Sequence, residues 1–435
     1  MAESNTEQKS YSDNGYDLSR LEIRSNQGGD SIDIRNQFVE IVIYESIDDD
    51  KLVGEILLLD GLNFAETVPI VGNETVFISY KTLGSDSNYV EIVGRVTAVL
   101  GKARTENEKV EVYKLQFVSS ATFSSRLKRL SSSYSGTVSD IIRQIFEQSF
   151  GSNPSKLKTV NPTQGKHKFI IPYWSPIFTA KWLAARAYFG EASYFVFYED
   201  VDGFHLRDML SASRKPVVMT YRVEPVSALN ISDVNSYMKR VQSYSITSYF
   251  DRLSEVAGGM HSGTLHTHDI TTKQINTYTM DYDELFDTTP HMNKHPLFPR
   301  RNTELRNSIQ SFRNFVPVQL GKHDSVRDNE VPEKFYLNKR SMSKQFSTNR
   351  VTIQVPGNST LRLLDTIEFV IPKFGYMMLG EEEWQDSYLS GKYIITSLKT
   401  TINKVGNYRT LVEMAKDSLA KGIPDSFEKT NSNIK

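Results

Sequence analysis

Five short apolar runs between Phe38 and Ser119 constrain this chain more than anything else in it. Val39, Ile41 and Ile43 alternate with Glu40, Val42 and Tyr44, a period of two that a half-buried strand satisfies and a helix does not. Val53 to Asp60 is a nearly continuous apolar run, as in a strand covered on both faces. Thr75 to Lys81, Tyr89 to Leu100 and Val110 to Ser119 follow, separated by Gly-, Asn- or charge-rich turns. Five strands with few helical signals between them predict an antiparallel barrel or sandwich, taken as a first β-barrel domain over residues 31–120.

The next stretch changes character. Thr137 to Asp140 is a capping-box pattern, after which Val138, Ile141, Ile142, Ile145 and Phe146 fall on one helical face until Gly151 stops it. Ser175-Pro176 opens a second helix running through Trp182 toward Gly190. Tyr194 to Glu199 reads as a strand, and Asp202-Gly203 as a hairpin turn into Phe204 to Leu206. Residues 121–235 are therefore expected to form an α/β insert. Strand patterns return at Val241 to Phe250, Arg350 to Val355, Asp365 to Ile371, Lys392 to Thr401 and Tyr408 to Met414. They predict a second barrel made of residues 236–270 and 346–417. Between its two parts, 271–345 reads as a loop and helical insertion, with one helix capped by Thr303, carrying Leu305, Ile309 and Phe312 inward, and ended by Pro317. Residues 1–30 read as a flexible lead and 418–435 as a polar tail. The fold class expected is α+β and β-dominated.

A faint repeat links the two strand regions. Thr75 to Lys81 compares with Thr366 to Lys373; each is followed by a longer strand and then by a terminal one that carries Tyr113 or Tyr408. Shared β-composition and true duplication both explain it.

Composition removes whole classes of function. No cysteine occurs in 435 residues, so disulfide frameworks, thiolate metal sites and thiol nucleophiles are excluded. The balance of 51 Lys+Arg against 52 Asp+Glu gives no global electrostatic case for nucleic acid or anionic membranes. No segment has the roughly 20 apolar residues of a membrane span, and the polar residues 1–17 lack the apolar core of a secretory signal. The 22 Tyr and 23 Phe favour β-structure and large protein–protein contacts.

Catalytic patterns are sparse. Gly-Lys pairs at Gly101, Gly165, Gly321 and Gly391 lack the earlier glycine of a phosphate-binding loop. There is no HExxH or GxSxG. Asp200 to Gly203 looks like half a calcium loop, but Met209 stands where the closing glutamate belongs; a hairpin turn accounts for it. Arg126 to Arg129 is a short basic run without interleaved aromatics, which suits a solvated helix face. The one constellation with metal-ligand chemistry is His261, His266, His268 and Asp269, where His266 and His268 would share a strand face. With no distant carboxylate to complete a site, it reads as a polar strand face. No catalytic, cofactor-binding or metal residue is assigned, and no cofactor is expected.

Several segments, in order and across most of the chain, resemble the central baseplate hub of contractile-tailed bacteriophages, the T-even-type family. They are Asp33 to Ile47, Gly54 to Asp60 and Val68 to Glu74; Tyr113 to Ser119 and Arg129 to Gly136; Phe169 to Pro176, Trp182 to Arg186 and Tyr198 to Phe204; Tyr249 to Leu253, Gly259-Met260 and His268-Asp269; and Ser390 to Thr396 with Lys416 to Leu419. Residues 271–345 carry no matching motif. The resemblance implies a non-enzymatic homotrimer in the virion baseplate, assembled in the host cytoplasm. Each subunit would give two related barrels to a ring around a channel, adapting a threefold central spike to a sixfold tail tube. Implied partners are other copies of itself, the spike, tail-tube or tube-initiator proteins, and baseplate wedge proteins. Two alternatives stay open: another tail ring protein such as a tube initiator, and a metal-dependent hydrolase using His261, His266 and His268.

Overall fold

The computed structural model describes residues 15–423 except 62–69, 86, 105–109, 152–155, 191–193, 224–236, 271, 298–311, 319–331 and 374–384. It is β-dominated, built on large antiparallel sheets. The first lobe holds β1 (Tyr16–Arg24), β2 (Ser31–Asp33), β3 (Phe38–Ser46), β4 (Val53–Asp60), β5 (Thr75–Thr82), β6 (Val90–Arg104) and β7 (Glu111–Ser119). They enclose one apolar cluster that includes Leu21, Ile23, Ile41, Ile43, Ile56 and Phe117. β1 corrects the expectation of a flexible lead through residue 30. Its sequence is polar overall, but Leu21 and Ile23 are fully buried while the strand pairs antiparallel with β5.

An insert follows, with α1 (Ser120–Arg126), β8 (Ser133–Gly136), α2 (Val138–Phe150), β9 (Leu157–Val160), β10 (His167–Ile170), α3 (Pro176–Ala184), β11 (Phe195–Asp200), β12 (Gly203–Asp208) and α4 (Met209–Ser213). Thr137 caps α2, its hydroxyl accepting the Asp140 N–H, and Gly151 ends the helix at φ 76°, as a glycine C-cap does. All five apolar residues read on its inner face are buried. α3 starts at the proline but stops at Ala184, short of Gly190.

The rest comprises β13 (Val217–Arg222), β14 (Ser243–Ser248), α5 (Arg252–Ala257), β15 (Ser262–Asp269), β16 (Ile275–Asp281), α6 (Tyr282–Thr288), β17 (Arg313–Val318), α7 (Pro332–Thr348), β18 (Asn349–Pro356), β19 (Thr366–Val370), β20 (Gly391–Asn403) and β21 (Tyr408–Lys416). Three expectations change here. Residues 262–269, placed with the second barrel, form β15 of a separate three-stranded sheet with β16 and β17. The helix capped by Thr303 falls outside the described residues up to 311, and its expected end is instead strand β17. Pro317 is tolerated there because β17 is an edge strand. Finally, 332–348 is a 17-residue helix rather than loop. In the tail, Leu419 is buried and bridges His295; residues 424–435 lie outside the described set.

The largest sheet has 13 strands and runs through both lobes. In the first lobe the order is β3-β4-β7-β6-β5; in the second it is β14-β18-β21-β20-β19. Every pairing in both series is antiparallel. The correspondence reaches single residues. β6 bulges at Thr97, between Val96↔Phe117 and Ala98↔Gln116; β20 bulges at Thr396, between Ile395↔Met414 and Ser397↔Glu413. Each bulge threonine donates its hydroxyl to the strand opposite, Thr97 to Gln116 O and Thr396 to Glu413 O, both at 3.2 Å. The residue before each bulge is held by matched bonds: Val96 N to Glu74 O and Ile395 N to Asp365 O, Asn73 N to Val96 O and Leu364 N to Ile395 O. Asn73 and Leu364 both take positive φ, 70° and 62°. That conformation is costly for leucine, and its presence at both places argues for a shared local design. Packing volume is traded between the copies. A Cβ on Gly54 or Gly94 would come within 2.1 or 2.6 Å of the Phe117 ring. The second lobe has Met414 where the first has Phe117, with Val351 and Tyr393 at the glycine positions. Large and small residues thus change places, the substitution a dense core tolerates best. The two lobes thus share strand order, a bulge and a positive-φ residue bonded to the position before it.

Candidate functional site: the seam between the lobes

β20 carries the joint. Its 394–402 segment pairs with β21 on one edge. On the other edge β19 covers 366↔394 to 369↔391, and β3 then covers Ser397↔Ser46 to Asn403↔Glu40. The sheet therefore crosses from lobe to lobe without a break. The Thr396 carbonyl accepts the Ile47 N–H at 3.0 Å, and Ser397 Oγ donates to Glu45 O at 3.0 Å. Thr82 and Ser359 add reciprocal bonds, Thr82 N to Ser359 Oγ at 3.0 Å and Ser359 N to Thr82 Oγ1 at 2.8 Å. Tyr408, from the second lobe, packs edge-on against Tyr16 and Tyr80 of the first.

The insert is clamped into this seam by the tip of its β11–β12 hairpin, where the half calcium loop was read. Asp200 Oδ1 accepts the N–H groups of Asp202 (2.8 Å) and Gly203 (3.2 Å) and lies 2.9 Å from His205 Nε2. A carboxylate so occupied forms a turn. Gly203 sits at φ 138°, where a side chain would strain the backbone. Asp202 holds Arg362 of the second lobe through bonds of 2.6 and 3.2 Å. On the first lobe, Glu45 Oε1 accepts the Val201 N–H at 2.9 Å. Glu199 accepts from Leu52 N and Thr122 Oγ1, both at 2.8 Å, and from the Ser119 hydroxyl. Burial raises the Glu45 carboxyl to about 8, with the nearby Asp200 adding to the shift. Burial likewise raises Glu199 to about 7, against the opposing pull of its three donors. Nothing in the local sequence signals these buried acids; their partners are long-range.

The histidine constellation separates. His261 is buried with its Nε2 3.5 Å from Glu255, which also pairs with Arg252 at 2.6 Å. Burial alone would raise Glu255; His261 and Arg252 together bring it down to about 2. His266 bonds Thr277 through Nδ1, and His266 and His268 both pack against Phe315 of β17. Asp269 accepts the Thr272 N–H through its side chain. Among the described residues no three His, Asp or Glu side chains converge as a metal group would require. Changing His266 and His268 together to Ala should shift the urea midpoint by the equivalent of less than about 1 kcal/mol, the cost of surface contacts. Equilibrium unfolding monitored by circular dichroism tests this.

No described helix is long and apolar enough to cross a membrane. No protein-family model matches the chain, and no curated protein matches it. Solved structures do. The tail protein from Neisseria meningitidis MC58 matches with a TM-score of 0.55 at 11% identity, covering 93% of this chain and 97% of that one. The 43 kDa tail protein of prophage MuSo2 from Shewanella oneidensis matches with 0.53 at 9% identity, covering 93% and 100%. The chain has a tail-protein fold. The match extends over nearly the whole of both relatives, so it includes the seam and the insert as well as the two lobes.

Proposed function

We propose that this protein is a structural component of a phage tail baseplate, a trimeric hub whose three chains present six related lobes around a channel. In this reading it adapts a threefold central spike to a sixfold tail tube. It works by assembly, with no chemical step, in the virion. Its partners are its own copies, the spike, tail-tube or tube-initiator proteins, and wedge proteins. The observation that carries the reading is the duplicated strand order, which gives each chain two quasi-equivalent units joined by a continuous sheet. Three such chains offer six similar seats in alternation, the arrangement a three-to-six adapter requires. Cyclic closure makes the contacts between chains heterologous, so each chain must present two different, complementary surfaces.

Native mass spectrometry tests it. A species at three times the chain mass of 49.6 kDa is expected, with threefold particles in averaged micrographs. A sixfold particle would instead identify a tube initiator, and a monomer at all concentrations would remove the ring.

A further inference from the structure

The first part of the insert is strongly one-sided in charge. Residues 121–190 hold ten Lys or Arg against two acids, Asp140 and Glu147, although the whole chain has a formal net charge of −1. Both acids lie on α2, and Asp140 is already paired with Arg143. Eight of the ten bases are exposed, so this part of the surface is positive.

α3 adds an apolar face to it. Ile177, Ala180, Leu183 and Ala184 are buried on the inner side of the helix. Its single charge, Lys181, turns toward the first lobe and donates to Asp48 O at 2.7 Å. A helix apolar on all sides is normally enclosed, yet Phe178 is 47% exposed and Trp174 and Trp182 are half-buried. The Trp174 ring meets Phe178 and Trp182 at centroid distances of 5.1 and 5.3 Å, and the Arg186 guanidinium covers the Trp182 ring at 3.6 Å. Tyr173, just before this row, is 70% exposed at φ 60°, a conformation costly for a residue with a side chain. Ser125 Oγ accepts the Ile177 N–H, and Leu130 bridges Trp174. The intervening Arg129 and Leu127, the latter 75% exposed, therefore lie along the start of α3.

We infer that this face of the insert docks a separate, acidic protein. The partner sets an apolar side chain among Tyr173, Trp174 and Phe178 and carboxylates against the surrounding Lys and Arg. Tryptophan, tyrosine and arginine are the residues that carry most binding energy at such contacts, and a basic rim selects an acidic partner and speeds encounter. The rings of the row meet edge to face, with 86° and 62° between their planes. They offer no series of parallel faces on which bases stack, which disfavours single-stranded nucleic acid. A second copy of this chain fits poorly. Asp48 to Asp50 lie between buried Ile47 and Leu52, and on α6 the apolar neighbours of Asp283, Glu284 and Asp287 are buried. Neither acidic cluster has an exposed apolar anchor of its own. The inference rests on reading the protein as an assembly component, and it gives one partner a chemistry.

Peptide probes test it on the full-length protein. The first peptide has Leu and Phe flanked on both sides by Glu. The second has Ser in place of Leu and Phe, the third has Lys in place of Glu, and a single-stranded DNA oligonucleotide is the fourth probe. Trp174 and Trp182 report binding through their fluorescence. The first peptide is expected to bind about tenfold or more tightly than the other probes, and less tightly as salt is raised. Phe178→Ala and Arg129→Glu should each weaken it about tenfold, whereas Lys334→Glu, at an exposed position of α7, should not. Equal binding of the Ser peptide, or tighter binding of the oligonucleotide, would mean that the face reads charge alone and would overturn the inference. So would binding of the first peptide that Phe178→Ala and Arg129→Glu leave unchanged. If Phe178→Ala instead lowers the native mass, the face joins copies of this chain and the separate partner is wrong. If the unmodified protein has threefold native mass but binds no peptide, this inference fails and the hub reading stands. A monomer that binds the first peptide removes the ring and leaves the docking face.

Discussion

Glu45→Gln should make the protein more stable above pH 8 and leave it nearly unchanged at pH 5. Glu45 is buried between the first lobe and the insert and accepts the Val201 N–H, which a glutamine oxygen can also accept. Its folded-state pKa of about 8 lies far above the ordinary glutamate value of 4.5, chiefly because burial penalises the charge. A raised acid holds a proton in the folded chain that the unfolded chain releases. The stability from that proton is fully present below about pH 4.5 and is lost as pH rises through about 8. A shift of this size corresponds to roughly 5 kcal/mol across that window, and the neutral amide does not suffer the loss. Urea unfolding at pH 5, 7 and 9 measures it. The two proteins should diverge with rising pH, the variant gaining. Parallel curves would mean that Glu45 reaches water. Lys416, which burial lowers to about 7 while it donates to the carbonyls of Tyr388, Leu389 and Ser390, titrates in the opposite sense. The comparison must therefore be between variant and parent at each pH.

Ile145→Asp is expected to have an effect of similar size, confined at first to the insert. Ile145 is fully buried on α2 in a cluster with Ile141, Ile142, Phe146, Phe197, Phe204 and Leu206. An aspartate there has no counter-charge among these residues, and burying it costs about 4 kcal/mol or more. Trp174 and Trp182, two of the chain's three tryptophans, pack together in the insert, with ring centroids 5.3 Å apart. Fluorescence therefore reports mainly on the insert, and far-ultraviolet circular dichroism on the sheets. The fluorescence transition should move to lower urea ahead of the dichroism transition, with the native mass unchanged. A variant with a folded insert that nonetheless dissociates would place the insert in the contact between chains.

The sequence alone reveals elements better than it reveals sheets. Alternation at Val39 to Tyr44 and at Val241 to Phe250 identifies strands, although residues 243–247 of the second are exposed on both faces, and the pairing of Thr75 with Thr366 agrees with the register found. Alternation does not say which sheet a strand joins, so it does not reveal that 262–269 belongs to the separate three-stranded sheet. β1 is masked by the polar residues around Leu21 and Ile23. α7 is masked differently, since Ser341, Gln345 and Thr348 form part of its buried face through hydrogen bonds such as Ser341 Oγ to Met260 O. A hydrophobic count does not see a face satisfied by polar partners. At the seam, Asp202-Gly203 is legible as a turn. Its clamping of Arg362, 160 residues away, is not.

The β3–β20 seam has a kinetic consequence. Six separate single-lobe chains would need every junction of a six-lobed ring to form by collision, at a rate falling with dilution. Here one junction per chain is closed as the polypeptide folds, at the high effective concentration of a tether. In the proposed ring the lobes would meet in fixed alternation, and two first lobes could not stand side by side. Such a ring would assemble in dilute conditions through half as many intermolecular junctions, and mutations at the internal junction should slow folding of the single chain before they slow its association.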